Sequence, residues 1–143
     1  MTGRTRTCDE ATTAGRLRKA EQFLAAAETI REFADDEYDV GDAYVTLCVH
    51  AAIAAADVIC CVELGVHALG DDHNEALALL EKVRPDGGEL AKALGALLGM
   101  KTRAGYSARP VTVADGKRAQ RQTERLVRAA RDRRTNTKGP RTV

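Results

Sequence analysis

Two ionisable side chains interrupt the most apolar stretch of the sequence, residues 43–62. His50 and Asp57 are seven residues apart, so on a helix they lie on one side, two turns apart. A buried carboxylate needs a partner. We therefore predict that Asp57 orients a catalytic or ligand-binding cation, with a purely structural ion pair as the alternative. His50 is predicted to be hydrogen-bonded within the core.

A second set of candidate ligands follows on the same predicted helix. Cys60, Glu63 and His67 are spaced by three and four residues, which places them on one helix face. They could supply three metal ligands, but no second cluster in the sequence offers a fourth. We predict core thiols beside a surface Glu–His pair, with no metal and no cofactor.

His73 lies at the start of the third predicted helix among acidic residues. Asp71, Asp72 and Glu75 surround it in the sequence, and nearby carboxylates favour protonated imidazole. The pKa of His73 is therefore predicted to be raised. Two roles fit this position, a general acid in a cleft or an exposed residue of a capping turn.

Cationic side chains and a tyrosine lie close together in the sequence, where the predicted helix that ends at residue 105 stops. Lys101, Arg103 and Tyr106 stand in the segment KTRAGY, and Arg109 follows in the loop. The group is predicted to form a phosphate-binding corner. The alternative is a helix C-terminus with electrostatically favourable cations, at which Gly105 ends the helix.

The small net charge hides a division of the chain. Residues 1–100 hold 9 Lys or Arg and 18 Asp or Glu, a net of −9, whereas residues 101–143 hold 13 and 3, a net of +10. A basic ridge on the last helix could neutralise phosphates, pair with acidic faces of the first two helices, or be solvated. Its cations are Lys117, Arg121, Arg125, Arg128, Arg131, Arg133 and Arg134.

The elements that position these residues all have helical periodicity. We predict an all-α fold, an antiparallel up-and-down bundle of four to five helices in one domain, 9–134, followed by a disordered basic tail, 135–143. Strands are not expected, because no run of alternating β-branched residues occurs. The predicted helices span about 9–34, 40–69 with Gly70 as C-cap, 72–105 with a break at 85–88, and 112 onward.

Cysteine usage and hydropathy bear on the compartment. The four cysteines, at positions 8, 48, 60 and 61, contain no CxxC pair and are predicted to be buried reduced thiols in a cytoplasmic protein. Residues 43–62 are long enough to span a bilayer. Asp57 near the centre would cost roughly 2.5–3.5 kcal/mol there, so we predict a core helix and no membrane association.

Four segments, in this order, resemble a HEPN domain (higher eukaryotes and prokaryotes nucleotide-binding). They are HAAIAAADVICC at 50–61, DDHNEALALL at 71–80, KTRAGY at 101–106, and the basic helix from Thr112. The resemblance covers most of residues 15–132 and implies a helical bundle that is usually a homodimer. Many HEPN proteins are metal-independent endoribonucleases of toxin–antitoxin, abortive-infection and other defence systems. Others only bind nucleotides or are non-catalytic partners.

The resemblance also implies a site. Active HEPN proteins carry an arginine, four to six residues and then a histidine before the last helix. Arg103 matches the arginine, but no histidine follows at that spacing. Tyr106 matches a frequent additional aromatic residue, and Asp57 matches a residue of the second helix that faces the motif arginine. The usual general base is therefore missing.

Three functions are consistent with these residues. The first is a protein that binds nucleotide or RNA phosphate with weak or no catalysis. Its expected site residues are Asp57, Lys101, Arg103, Tyr106, Arg109, Lys117 and Arg121. The second is a metal-independent endoribonuclease toxin, with Tyr106, His50 or His73 as the replacement base and Arg103 stabilising the charged phosphate. The third is an antitoxin or regulatory module that binds a partner protein.

Overall fold

The computed structural model describes residues 4–138, which form five α-helices and one small β-ribbon. The prediction of an all-α bundle is confirmed. In chain order the elements are β1 (Thr5–Thr7), α1 (Glu10–Phe33), a 3₁₀ turn (Glu37–Val40), α2 (Gly41–Leu64), β2 (Val66–Ala68), α3 (His73–Glu81), α4 (Gly87–Gly105) and α5 (Val113–Lys138).

α2 is the central helix, and α1, α4 and α5 pack around it. Alanines at positions 51, 52, 54, 55 and 56 are all buried, because this helix meets neighbours on nearly every side. Their small side chains allow the surrounding helices to approach closely. The apolar segment is therefore a core helix, as its composition indicates.

Local capping signals set most of the helix starts. Asp9 Oδ1 accepts the N–H of Thr12 at 2.7 Å, and Asp72 Oδ1 accepts that of Glu75 at 3.1 Å. At the start of α5, Thr112 and Asp115 exchange two side chain–backbone bonds of 3.0 Å. Asp72 and Thr112 thus cap helices that begin where the sequence predicts, and the predicted break at residues 85–88 separates α3 from α4.

The end of α2 differs from its prediction. The helix stops at Leu64, where Gly65 adopts φ 77° and donates its N–H to the Cys61 carbonyl at 3.0 Å. Residues 66–68 then pair antiparallel with Thr5–Thr7, with Arg6 opposite His67. The prediction of no strand was wrong, because three-residue strands are too short to show alternation and their pairing is long-range.

A disulfide joins Cys8 to Cys61 across 53 positions of sequence. The prediction of reduced thiols was therefore wrong for this pair, whereas Cys48 and Cys60 are free and buried. Cys8 immediately precedes the cap of α1, and its backbone N–H bonds to the Gly65 carbonyl at 3.0 Å. The disulfide thus fastens the start of α1 to the end of α2.

α5 extends past the predicted domain boundary. The helix continues to Lys138, so residues 135–138 are helical rather than disordered, and the rest of the predicted tail lies outside the described residues. Its buried face includes Ala119, Thr123 and Leu126. Thr123 Oγ1 donates to the Cys48 carbonyl of α2 at 3.3 Å.

Among the described residues, α2 is long and apolar enough to cross a membrane by length and composition. In the bundle, 67% of its most apolar window is buried by the rest of the protein. Such burial is what the core helix of a helical bundle shows. The absence of membrane association stays a prediction.

Candidate functional site

Asp57 is paired with an arginine, but not with the one expected. Its Oδ2 accepts the Nε–H of Arg16, on α1, at 2.9 Å, and its side chain is 13% exposed. Burial raises the pKa of Asp57, while Arg16 and then His67 act in the opposite direction. The expected pair of Asp57 with Arg103 is not formed. The structural ion pair, which was the alternative for Asp57, is present.

Sequence reasoning missed Arg16, although its spacing carries a signal. The buried face of α1 includes Thr13, Ala20, Leu24 and Ala27, and position 16 fills the gap at intervals of three and four. A cation on that face requires an acid nearby. The buried Asp57 is that acid.

His50 lies on the surface rather than in the core. Its ring is tilted against Phe23 of α1, with centroids 5.4 Å apart. Cys48, two residues earlier, has its side chain beside Thr123 of α5, and two helical residues turn the chain by about 200°. His50 therefore points away from α5, and the prediction of a core histidine was wrong.

The exposed histidine borders a pocket of about 150 Å³ between α2 and α4. The six residues that line this α2–α4 pocket are Thr46, Val49, His50, Lys101, Gly105 and Tyr106. Lys101 and Tyr106 are thus brought together as predicted for the corner. Tyr106 is 79% exposed, so its hydroxyl group is open to solvent.

His73 adjoins this pocket because it contacts Lys101, one of the lining residues. The ammonium Nζ lies 3.2 Å from His73 Nε2, and this nitrogen of a neutral imidazole can accept a hydrogen bond from it. Partial burial and then Lys101 lower the pKa of His73, and they outweigh Asp71 and Asp72. The predicted rise was wrong, because the fold adds a cation that the local sequence does not contain.

Arg103 lies on another side of α4. It lines a groove of about 350 Å³ between α4 and α5, so the structure divides the predicted corner in two. The residues of this α4–α5 groove are Gly95, Ala96, Gly99, Met100, Arg103, Val111, Asp115 and Arg118. Arg109 stands in the exposed turn before α5, where its backbone N–H bonds to Ser107 Oγ at 3.0 Å.

The three candidate metal ligands do not converge. His67 is on β2, beyond the end of α2, and its Nδ1 lies 2.8 Å from the Ala68 carbonyl. Glu63 accepts from Arg133 Nε at 2.9 Å rather than pairing with His67. Burial raises the pKa of Cys60 to about 12. Within residues 4–138 no group of three or more His, Cys, Asp or Glu is placed to hold a metal ion.

The cations of α5 fall into two groups. Towards its end, Arg131 pairs with Glu21 at 2.8 Å, Arg133 pairs with Glu63, and Arg134 pairs with Glu10. Pairing with acidic groups of α1 and α2 is therefore real for this part of the ridge.

The earlier cations of α5 are exposed, and in the described part of the chain none of them has an acidic partner within 4.0 Å. They are Lys117, Arg118, Arg121, Arg125 and Arg128, which we call the outer basic face. Buried Ala119, Leu126 and Ala130 lie on the opposite side of the helix. Arg118 was missed from the sequence, because it lies to one side of the four-residue row and acquires a role only when α4 is placed beside it.

No family model matches this chain, and no curated protein or solved structure matches it significantly. The resemblance to HEPN domains and the homodimer that it implies therefore stay predictions, as does the cytoplasmic location expected from cysteine usage.

Proposed function

We propose that this protein binds RNA through its phosphate groups, without reading base sequence, along the outer basic face of α5. The observation that supports the proposal is the contrast within one helix. Three cations near its end are neutralised by acidic partners, whereas the five of the outer basic face are exposed and have no such partner among residues 4–138. Exposed rows of this kind attract polyanions and release their counterions on binding.

The shape of this face suits a strand better than a single small anion. From Lys117 to Arg128 the helix rises about 16 Å, at roughly 1.5 Å per residue. Five aromatic residues in the whole chain leave little material for a base-stacking platform. Recognition would therefore rest on charge, and the HEPN resemblance makes RNA, in a toxin–antitoxin or phage-defence setting, the first ligand to test.

Removing two charges from the outer basic face should change the salt dependence of binding. For Arg121→Gln/Arg128→Gln, the slope of log K against log salt should flatten by about 1.4, since each neutralised phosphate of a single strand contributes about 0.7. The measurement is a fluorescence titration of a labelled single-stranded RNA at several salt concentrations.

The matched control is Arg131→Gln/Arg134→Gln, which removes the same charge from the same helix at cations that already have partners. Its slope should stay near that of the unmodified protein. Equal slopes for the two double variants would contradict the proposal. Absence of RNA binding would favour the third function, a module that meets a partner protein.

A second candidate function, metal-independent RNA cleavage, is favoured by the α2–α4 pocket. His50, Lys101 and Tyr106 surround one cavity, and His73 adjoins it through Lys101. In this reaction His50 removes the proton of a ribose 2′-hydroxyl, and the 2′-oxygen attacks phosphorus. Lys101 would stabilise the charge on the phosphate. The bond to the 5′-oxygen breaks, and Tyr106 gives that oxygen a proton.

The pocket residues, rather than Arg103, should control any cleavage. We expect His50→Gln and Lys101→Gln each to lower the cleavage rate in EDTA by about 100-fold, the lower end of the range both for an acid–base residue and for a group that stabilises developing charge. Arg103→Gln is the control, because Arg103 lines the other groove. Intact RNA after incubation with the unmodified protein, or loss of cleavage only in Arg103→Gln, would exclude this pocket as the catalytic site.

A further inference from the structure

The α4–α5 groove is lined by two arginines, one from each helix. Arg103 comes from the last turns of α4 and Arg118 from the second turn of α5. Both are exposed, and neither has an acidic partner within 4.0 Å in the described part of the chain. Asp115 also lines the groove, and its Oδ2 accepts the Thr112 N–H at 3.0 Å as part of the α5 cap. Both guanidinium groups of the groove can therefore donate hydrogen bonds to a ligand.

Two guanidinium groups in one cavity suit a phosphate group as ligand better than a carboxylate. A guanidinium group donates two parallel N–H bonds to phosphate oxygens, and its planar geometry favours this bidentate contact. A terminal phosphate monoester presents three free oxygens and a charge of about −1.5 to −2 near neutral pH. A diester inside a strand has two free oxygens and one charge. The monoester can therefore engage both guanidinium groups more fully.

The groove is also continuous with the outer basic face. Arg118 belongs to both, since it adjoins Lys117 on the exposed side and lines the groove on the other. A strand held along α5 by its internal phosphates would reach the groove near the beginning of that helix. The cavity of about 350 Å³ has room for a phosphate and part of its sugar.

We propose that the α4–α5 groove binds the terminal phosphate monoester of an RNA strand, between Arg103 and Arg118. The inference rests on the proposed RNA binding and adds to it a preference for phosphorylated ends. The outer basic face binds internal phosphates whatever the RNA sequence, and the groove holds the end of the strand.

The test compares strands that differ only at one end. A 5′-phosphorylated single-stranded RNA should bind the unmodified protein about tenfold more tightly than the 5′-hydroxyl strand of the same sequence. A 3′-phosphorylated strand is measured beside them, and a gain for either phosphorylated end supports the groove. Equal affinity for all three strands would overturn the inference while leaving RNA binding intact.

Two variants test whether a preference for phosphorylated RNA ends is due to the groove. Arg103→Gln removes one guanidinium group, and Gly99→Leu fills the cavity while keeping both arginines. A Cβ at position 99 would meet no other atom within 4 Å, and leucine favours helix more than glycine does. Thermal unfolding should confirm that Gly99→Leu is folded. Both variants should lose the preference, whereas Arg18→Gln, which removes an exposed arginine of α1 outside the groove, should keep it. A preference that persists in both groove variants would overturn the inference.

If the protein binds no RNA, a titration with inorganic phosphate still tests whether the groove binds phosphate. Titration followed by NMR should shift the amide resonances of Gly95 and Gly99 in the unmodified protein and not in Arg103→Gln. Such shifts without RNA binding would support a free phosphate monoester as the ligand. No shift at up to millimolar phosphate, together with no RNA binding, would overturn both the proposed function and this inference.

Discussion

Loss of the Cys8–Cys61 disulfide is expected to lower the free energy of unfolding by about 4 kcal/mol. The two cysteines are 53 positions apart, and a closed loop of this length strongly restricts the unfolded chain. The native contacts nearby are few, since β1 is exposed along its whole length and pairs with a strand of only three residues. Little else would hold residues 4–8 in place.

Urea unfolding of Cys8→Ser under non-reducing conditions measures this effect. We choose Cys8 because it is partly exposed, whereas Cys61 is buried and its replacement would also disturb packing. A reductant serves as the internal control, because it should bring the unmodified protein down to the stability of the variant. Equal unfolding midpoints under non-reducing conditions would mean that the disulfide does not stabilise the bundle.

Substitution of Gly87 by alanine is expected to be the most damaging small change at a glycine. A Cβ at this position would lie 2.5 Å from the Leu80 carbonyl oxygen and 3.0 Å from that of Glu81. Both atoms are backbone of α3, so the clash cannot be relieved by rotating a side chain. We expect Gly87→Ala to lower the free energy of unfolding by about 3 kcal/mol, the upper part of the range for overpacking.

Gly88→Ala is the matched control for this prediction. It is the next residue of the same helix turn, and a Cβ there would meet no atom within 4 Å. Its stability should stay within about 0.5 kcal/mol of the unmodified protein or rise slightly, because alanine favours helix more than glycine does. Thermal unfolding followed by circular dichroism separates the two variants. Similar losses in both would show that helix propensity, not the contact with α3, decides the outcome.

The sequence by itself determined the helical class and most helix boundaries. Asp72 and Thr112 cap their helices by bonds to residues three positions on, and these signals are complete within one turn. The alanine-rich α2 likewise had to be central, because a helix that is apolar all round is stable in water only when neighbours cover it. The predicted end of α2 at Gly70 was wrong, since Gly65, five residues earlier, adopts the left-handed conformation and ends the helix.

Only the tertiary structure decided which charged groups meet. Asp57 pairs with Arg16, 41 positions away, and His73 contacts Lys101, 28 positions away. The corner predicted from residues 101–109 is divided, because successive residues on a helix are about 100° apart and α4 contacts different partners on each side. Helix formation depends on neighbours three or four positions apart. The pairing of cysteines, the direction of the His73 pKa shift and the two arginines of the groove depend on how whole helices pack, which no local pattern encodes.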